Sequence, residues 1–310
     1  MIAECITSLG FSHTPDDVVR AVKNLPSSPR VLPRLKFLLG DGNSSMHDIV
    51  ALVRLDPAIA ARVLQTANSA YFGGGVRYTT VGEAVNRVGY DQIYELVSYA
   101  VASQVFVRPV DLYGIEADDL WKMSVACALA AEVIAERTRQ DRSVAYSIGL
   151  LHCLGMVALD EWALRNAQSL RFSSRGFPLE AVEAERAALG FTQADTGAAL
   201  LRNWDFPPEM AEPVRVQYAP GASVAHLRMA TLLFAAKWLR SAICAPNTAE
   251  TPPLPEAVQL GVIGLTPTAL AAMLPEVSRR LGAVGSLLDV SREAKPRTGR
   301  HHFPTAAQAA

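Results

Sequence analysis

An all-α fold follows from three observations on the sequence. Apolar residues recur at three- and four-residue spacing along most of the chain, which is the helical period. Ala and Leu dominate and β-branched runs are few. Gly, Pro, Asn and Asp signals cut the chain into pieces of ordinary helix length. With 310 residues and 50% hydrophobic content, the chain can bury the core of one large domain or two smaller ones.

The elements read in order as follows. Asp16 to Lys23 predicts a short first helix, and Leu25-Pro26-Ser27-Ser28-Pro29 an extended link, since each proline disfavours helix in the residue before it. Pro33 to Leu39 predicts a second helix. Ser45 with Asp48 opens a third, running to Leu55, because both side chains can satisfy free backbone N–H groups there. Asp56-Pro57 is a strong helix start: Asp56 caps, and Pro57 lacks an N–H that would go unpaired anyway. That helix carries Ile59, Val63, Leu64 and Ala67 on one face and stops by Gly73-Gly74-Gly75. Thr80 with Glu83 opens a short helix ending at Gly89, and Tyr90-Asp91 leads into an apolar helix up to Val107.

Arg108 to Gly114 reads as a connector and a domain boundary. Asp118 or Asp119 is expected to cap a helix from Leu120 to Arg137, followed by one continuous helix from Ser143 to Trp162. Further helices are expected over 179–189, 192–203, 207–218, 223–243 and 267–281, with Ala245 to Pro255 as a proline-rich linker. Ser291 to Ala310 is polar and aperiodic and reads as disordered. The division is therefore residues 1–110, 111–290 and a tail, 291–310, with no repeat of solenoid length.

Composition narrows the function. A formal net charge of -1 argues against general nucleic-acid binding. Cys5, Cys127, Cys153 and Cys244 form no C-x-x-C pair and fit a reducing compartment. Met1 to Gly10 lacks a basic start and is interrupted by Glu4, unlike a signal peptide. The apolar stretches 125–135 and 229–239 carry Glu132 and Lys237 and read as buried helices, not membrane spans. A cytoplasmic protein with no cofactor is the expectation. Gly73-Gly74-Gly75 is no phosphate cradle, since no Gly-Lys-Ser/Thr follows. Trp121, Trp162, Trp204 and Trp238 read as core anchors, and Arg297 to His302 as a solvated, weakly basic tail.

Two segments are more specific. One is Asp56-Pro57-Ala58-Ile59-Ala60-Ala61-Arg62-Val63-Leu64-Gln65-Thr66-Ala67-Asn68-Ser69-Ala70-Tyr71-Phe72, and the other is Ser147-Ile148-Gly149-Leu150-Leu151-His152-Cys153-Leu154-Gly155-Met156. With Trp121 and Glu183 to Trp204 they resemble the HDOD family, non-catalytic relatives of the HD-domain metal-dependent phosphohydrolases, over roughly Val18 to Val290. The resemblance implies an N-terminal helical bundle of about five helices packed on a C-terminal HD-like bundle of about five or six. It also implies a regulatory role in bacterial signal transduction.

The same resemblance permits a test for hydrolysis. An HD enzyme holds divalent metals with histidines and a His-Asp pair, and the metals lower the pKa of a bound water. Here the first His position falls at Met123, the His-Asp pair reads His152-Cys153, a later His is Gln193, and a His-His pair falls at Gln217-Tyr218. The lysine that often follows the pair is Met156, and the final Asp has no clear match in Met229 to Lys237. With only six histidines, at 13, 47, 152, 226, 301 and 302, a shifted alignment would not restore the set. Neither metal ligands nor catalytic residues are expected. Adjacent residues on a helix point about 100° apart, so His152 and Cys153 are not expected to face each other as a nucleophile–base dyad.

Structural readings compete with functional ones at each position. His152 can be a core histidine with a satisfied hydrogen bond beside a small buried thiol. Asp56 can be a cap, with Asn68 and Ser69 bonding the backbone at the helix end, or the three can form a partner-binding patch. Arg62 pairs with Asp56 or Glu83, or stays solvated. The reading that results is a regulator that binds signalling proteins or itself as a homodimer, with no nucleic acid and no membrane. The alternatives are a nucleotide or small-molecule sensor using the vestigial pocket and, third, a divergent metal-dependent phosphohydrolase.

Overall fold

The computed structural model describes residues 13–21, 44–69, 74–90, 109–166, 170–172, 179–245 and 252–293, with positions 31, 34, 35, 38, 72, 92 and 93 between them. The expected link at Leu25–Pro29, most of the helix up to Val107 and residues 294–310 lie outside them.

The fold is all-α. The helices are α1 (Pro15–Ala21), α2 (Met46–Val53), α3 (Pro57–Asn68), α4 (Val81–Val88), α5 (Ala117–Thr138), α6 (Arg142–Leu151) and α7 (Leu154–Arg165). They continue as α8 (Leu179–Leu189), α9 (Gln193–Asn203), α10 (Pro208–Arg215), α11 (Leu227–Cys244), α12 (Ala257–Gly261), α13 (Pro267–Ala271) and α14 (Leu274–Glu293). Among the described residues the only β-type pairing is an isolated bridge between Val110 and Ile115.

The starts of the early helices follow the expected chemistry. Ser45 and Asp48 form a reciprocal capping box on α2, with the Asp48 N–H reaching Ser45 Oγ at 3.2 Å. Asp56 Oδ1 accepts from the N–H groups of Ala58 and Ile59, both at 2.9 Å, so this wholly buried carboxylate satisfies the free donors of α3. At the other end, Asn68 grips Tyr78 twice: its Nδ2 donates to the carbonyl and its Oδ1 accepts from the N–H. Ser69 Oγ donates to the Thr66 carbonyl. Arg62 is exposed and donates to Gln65.

Four sequence expectations are corrected. The helix expected over 143–162 breaks at His152–Cys153 into α6 and α7. The long α5 begins at Ala117, after an N-cap Glu116 that makes no side-chain cap. Asp118 and Asp119 therefore lie inside its first turn, where they favour the helix dipole without capping. The expected last helix is two, with Ala272 ending α13, and α14 runs to Glu293, into the stretch read as a disordered tail. The 207–218 and 223–243 helices are shorter at one end, as α10 stops at Arg215 and α11 starts at Leu227.

Helices α2, α3 and α4 pack on one another, and α5 lies against α6, α11 and α14. A second layer pairs α7 with α9 and α9 with α10, and α1 packs on α7 and α9, where His13 meets the Trp162 ring edge-on. The two groups meet at Arg54-Leu55, between α2 and α3. A helix C-terminus leaves carbonyls unpaired. Here Tyr146 OH donates to the Arg54 carbonyl at 2.8 Å, and Trp121 Nε1 donates to the Leu55 carbonyl at 2.7 Å. The Arg54 guanidinium lies over the Tyr146 ring, 4.1 Å from its centroid, and reaches Glu132 at 2.9 Å. Glu132 is also approached by Arg142 and Arg280, which brings α2, α5, α6 and α14 to one carboxylate.

The segment 109–114 is a connector with inward anchors: Val110, Leu112 and Tyr113 are buried, and the Leu112 N–H donates to Asp160 Oδ1 at 2.7 Å. Helices α7 and α9 approach most closely at Gly155. A Cβ built there would stand 1.8 Å from the Gln193 carbonyl oxygen, an impossible contact with backbone. Gly155→Ala must therefore push α7 off α9. We expect a loss of about 3 kcal/mol or more in chemical denaturation, and a loss below about 0.5 kcal/mol would show that the crossing is looser than described.

Candidate functional site

Five elements deliver polar side chains to one buried place. The break between α6 and α7 turns His152 inward. The start of α9 brings Gln193, the end of α10 brings Gln217 and Tyr218, α11 brings Lys237 and Arg240, and α5 brings Ser124 and Cys127. His152, Cys153, Gln193, Gln217, Lys237 and Arg240 are all 4% exposed or less.

The hydrogen bonds fix the state of His152. Arg240 Nη1 lies 3.0 Å from His152 Nε2, and a guanidinium can only donate. Nε2 is therefore the acceptor nitrogen. Nδ1 then carries the proton and donates to the Gly149 carbonyl at 2.6 Å. Cys153 Sγ also stands 3.0 Å from Nε2. The sequence expectation that His152 and Cys153 do not face each other is thus corrected. It assumed a continuous helix, and the chain leaves helical continuity between them.

This contact is not a nucleophile–base pair, because the imidazole lone pair already receives Arg240. Burial pushes the Cys153 thiol up, against the lowering pull of Arg240 and Lys237. Burial likewise pushes Cys127 up to about 12. Both thiols stay protonated at neutral pH. Burial, then the charges of Arg240 and Lys237, hold His152 well below the ordinary histidine range.

A second chain of contacts runs beside it. Tyr113 OH donates to Glu185 Oε1 at 2.9 Å, and the Gln193 N–H donates to Glu185 Oε2 at 2.7 Å. Gln193 Nε2 donates to Tyr218 OH at 2.7 Å, and Gln217 Nε2 donates to the His152 carbonyl at 3.2 Å. The Lys237 ammonium lies over the Tyr218 ring, 3.1 Å from its centroid. Burial first, and then Arg240, lowers the Lys237 pKa well below the lysine range, while burial raises Glu185.

Of the residues singled out from sequence, the structure brings His152, Cys153, Gln193, Gln217 and Tyr218 together. Met123 packs half-buried on the rim of the core; its neighbour Ser124 is the side chain that bonds Cys153. Asp56, Pro57, Asn68 and Ser69 sit apart, in the caps and turn of α3. Sequence reasoning missed Arg240, Glu185 and Tyr113, and it treated Lys237 only as a charge in an apolar helix. The available signal was Lys237 and Arg240 themselves: charges spaced i, i+3 inside a run that is otherwise apolar on every face.

The donor set does not fit a metal pair. Among the described residues no three His, Cys, Asp or Glu side chains come together as ligands. The imidazole presents its acceptor nitrogen to the Arg240 guanidinium and so offers no lone pair to a dication.

The HDOD domain profile matches residues 25–220. The chain belongs to the HDOD family. An uncharacterized protein of Treponema pallidum is 27% identical over 203 residues, which are 64% of this HDOD chain but 38% of that relative's length. Among solved structures, a virulence factor of Campylobacter jejuni superimposes with a TM-score of 0.65 at 21% identity, covering 86% of this chain and 96% of the other. A fragment of the MmoQ response regulator of Methylococcus capsulatus gives 0.62 at 19% identity, covering 79% and 92%. At these identities the likeness is one of fold.

The buried neutral histidine has a consequence for acid stability. Unfolding returns His152 to its ordinary pKa near 6.5, so below that pH the unfolded chain binds a proton that the folded chain refuses. Stability is therefore complete above about pH 6.5 and falls as pH drops below it. His152→Asn keeps a donor near the Gly149 carbonyl and cannot titrate. Thermal unfolding between pH 6.5 and 5 should show a falling Tm in the wild type and a flatter profile in the variant. Parallel profiles would contradict a neutral His152.

Proposed function

We propose that this HDOD protein is a non-catalytic signal-transduction regulator that works by binding other signalling proteins, or itself as a homodimer, in the cytoplasm. One observation carries the non-catalytic part: the imidazole at the centre of the HD-like bundle accepts Arg240, with Lys237 beside it. An HD hydrolase needs that lone pair for a dication. A site filled with its own cations repels the metal and leaves the helical framework for recognition. Family membership supports a signalling role, as does the MmoQ response regulator, whose structure has the same fold. The match spans 38% of the Treponema pallidum relative's length, so the matched segment there is part of a longer chain.

A membrane role has little support. The stretch Arg142–Arg165 is long and apolar enough to span, its most apolar 18-residue window having mean hydropathy 1.4, yet 89% of that window is buried against the rest of the protein. It is also broken at His152–Cys153.

The reading is tested on one purified sample by elemental analysis and by assay against cyclic nucleotides and phosphate esters with Mn2+ or Mg2+. We expect no stoichiometric transition metal and no turnover. Turnover lost in His152→Ala would make the protein a hydrolase and end this proposal. Crosslinking in the native cell, read by mass spectrometry, should join the chain to a signalling protein or to a second copy. A chain crosslinked to no protein under any growth condition would overturn the recognition half of the reading.

A further inference from the structure

A surface helix ordinarily sets polar or charged residues opposite its buried stripe. The segment 252–263, which carries α12, does not. It runs antiparallel along α11: Trp238 Nε1 donates to the Pro252 carbonyl at 3.0 Å, and nearer the start of α11 Arg228 Nη1 donates to the Val262 carbonyl at 3.0 Å. Its inward side is Pro255, Leu260 and Ile263, all buried. Its outward side is apolar as well. Leu254 is 46% exposed and Val258 84%, and Pro253, Ala257 and Gly261 are exposed around them. Val224, in the turn that leads into α11, is exposed at the Arg228 end.

Charge is missing from this ridge. Glu256 is the sole charged residue in the sequence from Thr251 to Pro275, in a chain that is 19% charged. Single exposed apolar side chains are ordinary. A continuous run of them with charge removed marks a contact surface. The HDOD profile ends at residue 220, so the ridge lies outside the matched region.

Two charged residues flank the ridge at opposite ends, and they select its occupant. Glu256 stands at the start of α12, where it makes no side-chain cap. Arg228 is exposed at the other end, where the Val262 and Thr138 carbonyls take only part of its donor set. A two-fold axis pairs a patch with itself. Charges at the centre of such a patch would meet their own kind, and the centre here, Ala257 to Gly261, has none. An axis normal to the surface at Val258 sets two α12 helices antiparallel, which carries Glu256 toward Arg228 of the partner subunit. We propose that the ridge over α12 is a homodimer interface, occupied by a second copy of this chain docked antiparallel on the same ridge. This pairing gives a surface to the homodimer named in the proposed function, and rests on it. A ridge this short suits a small, reversible interface.

The test is sedimentation velocity of the full chain from about 1 to about 200 µM, which brackets reversible interfaces of this class. Dimerisation that rises with concentration is expected. Val258→Glu sets two like charges at the axis and should weaken the dimer by at least about tenfold. Its Tm should stay unchanged, since Val258 is 84% exposed. Leu164→Glu, at an exposed apolar position on α7, should leave the dimer as it is. Glu256→Arg should weaken it by about threefold or more at low salt. Val258→Cys should be alkylated fast in the dilute monomer and slowly in the concentrated dimer. A chain that stays monomeric throughout, or that dimerises equally well as Val258→Glu, overturns the proposal. Slow alkylation of Val258→Cys in the dilute monomer does so too, because residues of the same chain would then cover the ridge. The two readings fail separately. A monomer that still crosslinks to a signalling protein in the cell overturns the dimer alone, whereas metal-dependent turnover overturns the regulator and leaves the dimer standing.

Discussion

A helix places residues i and i+3 on the same face, and on α11 those residues are Lys237 and Arg240. The helix is apolar all round and packs against α5, α6, α10 and α14, so neither charge reaches water. Much of the interior is arranged in response. His152 turns its acceptor nitrogen to Arg240. Tyr218 turns the face of its ring to Lys237, and Glu185 sits near enough to act on it electrostatically. In hydrolases of this shape the positive charge is carried by metal ions held on side chains. Here two basic side chains, Lys237 and Arg240, are held on the chain itself, among glutamine, tyrosine, imidazole and thiol groups.

The class of fold was legible because it rests on periodicity and on local end signals. The Asp56 and Ser45 caps depend on a few neighbouring residues and appear as expected. The break at His152–Cys153 was not legible. Both flanks are apolar at helical spacing, and no proline or exposed glycine marks the interruption. What requires it is tertiary: Gly155 must meet the Gln193 backbone, and His152 must face α11. The glutamines and Tyr218 could be placed by their positions in a motif, whereas Arg240, Glu185 and Tyr113 lie far apart in sequence and meet only through folding. Met123 shows the limit of such placement, since a shift of one residue exchanges it for Ser124.

Two joints hold the larger parts in register. At Arg54-Leu55 the end of α2 exposes carbonyls that Tyr146 and Trp121 satisfy from the opposite group of helices. The D-P motif then starts α3 at once, so one short segment ends a helix, meets the other group and begins the next helix. The second joint is Glu132, which Arg54, Arg142 and Arg280 share. Single exposed ion pairs stabilise little, but a carboxylate at 14% exposure with three guanidiniums around it aligns four helices at once.

The thiols of Cys127 and Cys153 give the interior a built-in reporter. Both are buried, and burial keeps them in the unreactive protonated form. Cys244 is less buried and lies at the end of the same α11 that carries the two cations. An alkylating reagent would therefore modify the chain in order of access, and the slow fraction would time the parting of α11 from α5 and α6. The thiols packed between these helices thus also record how often the helices part.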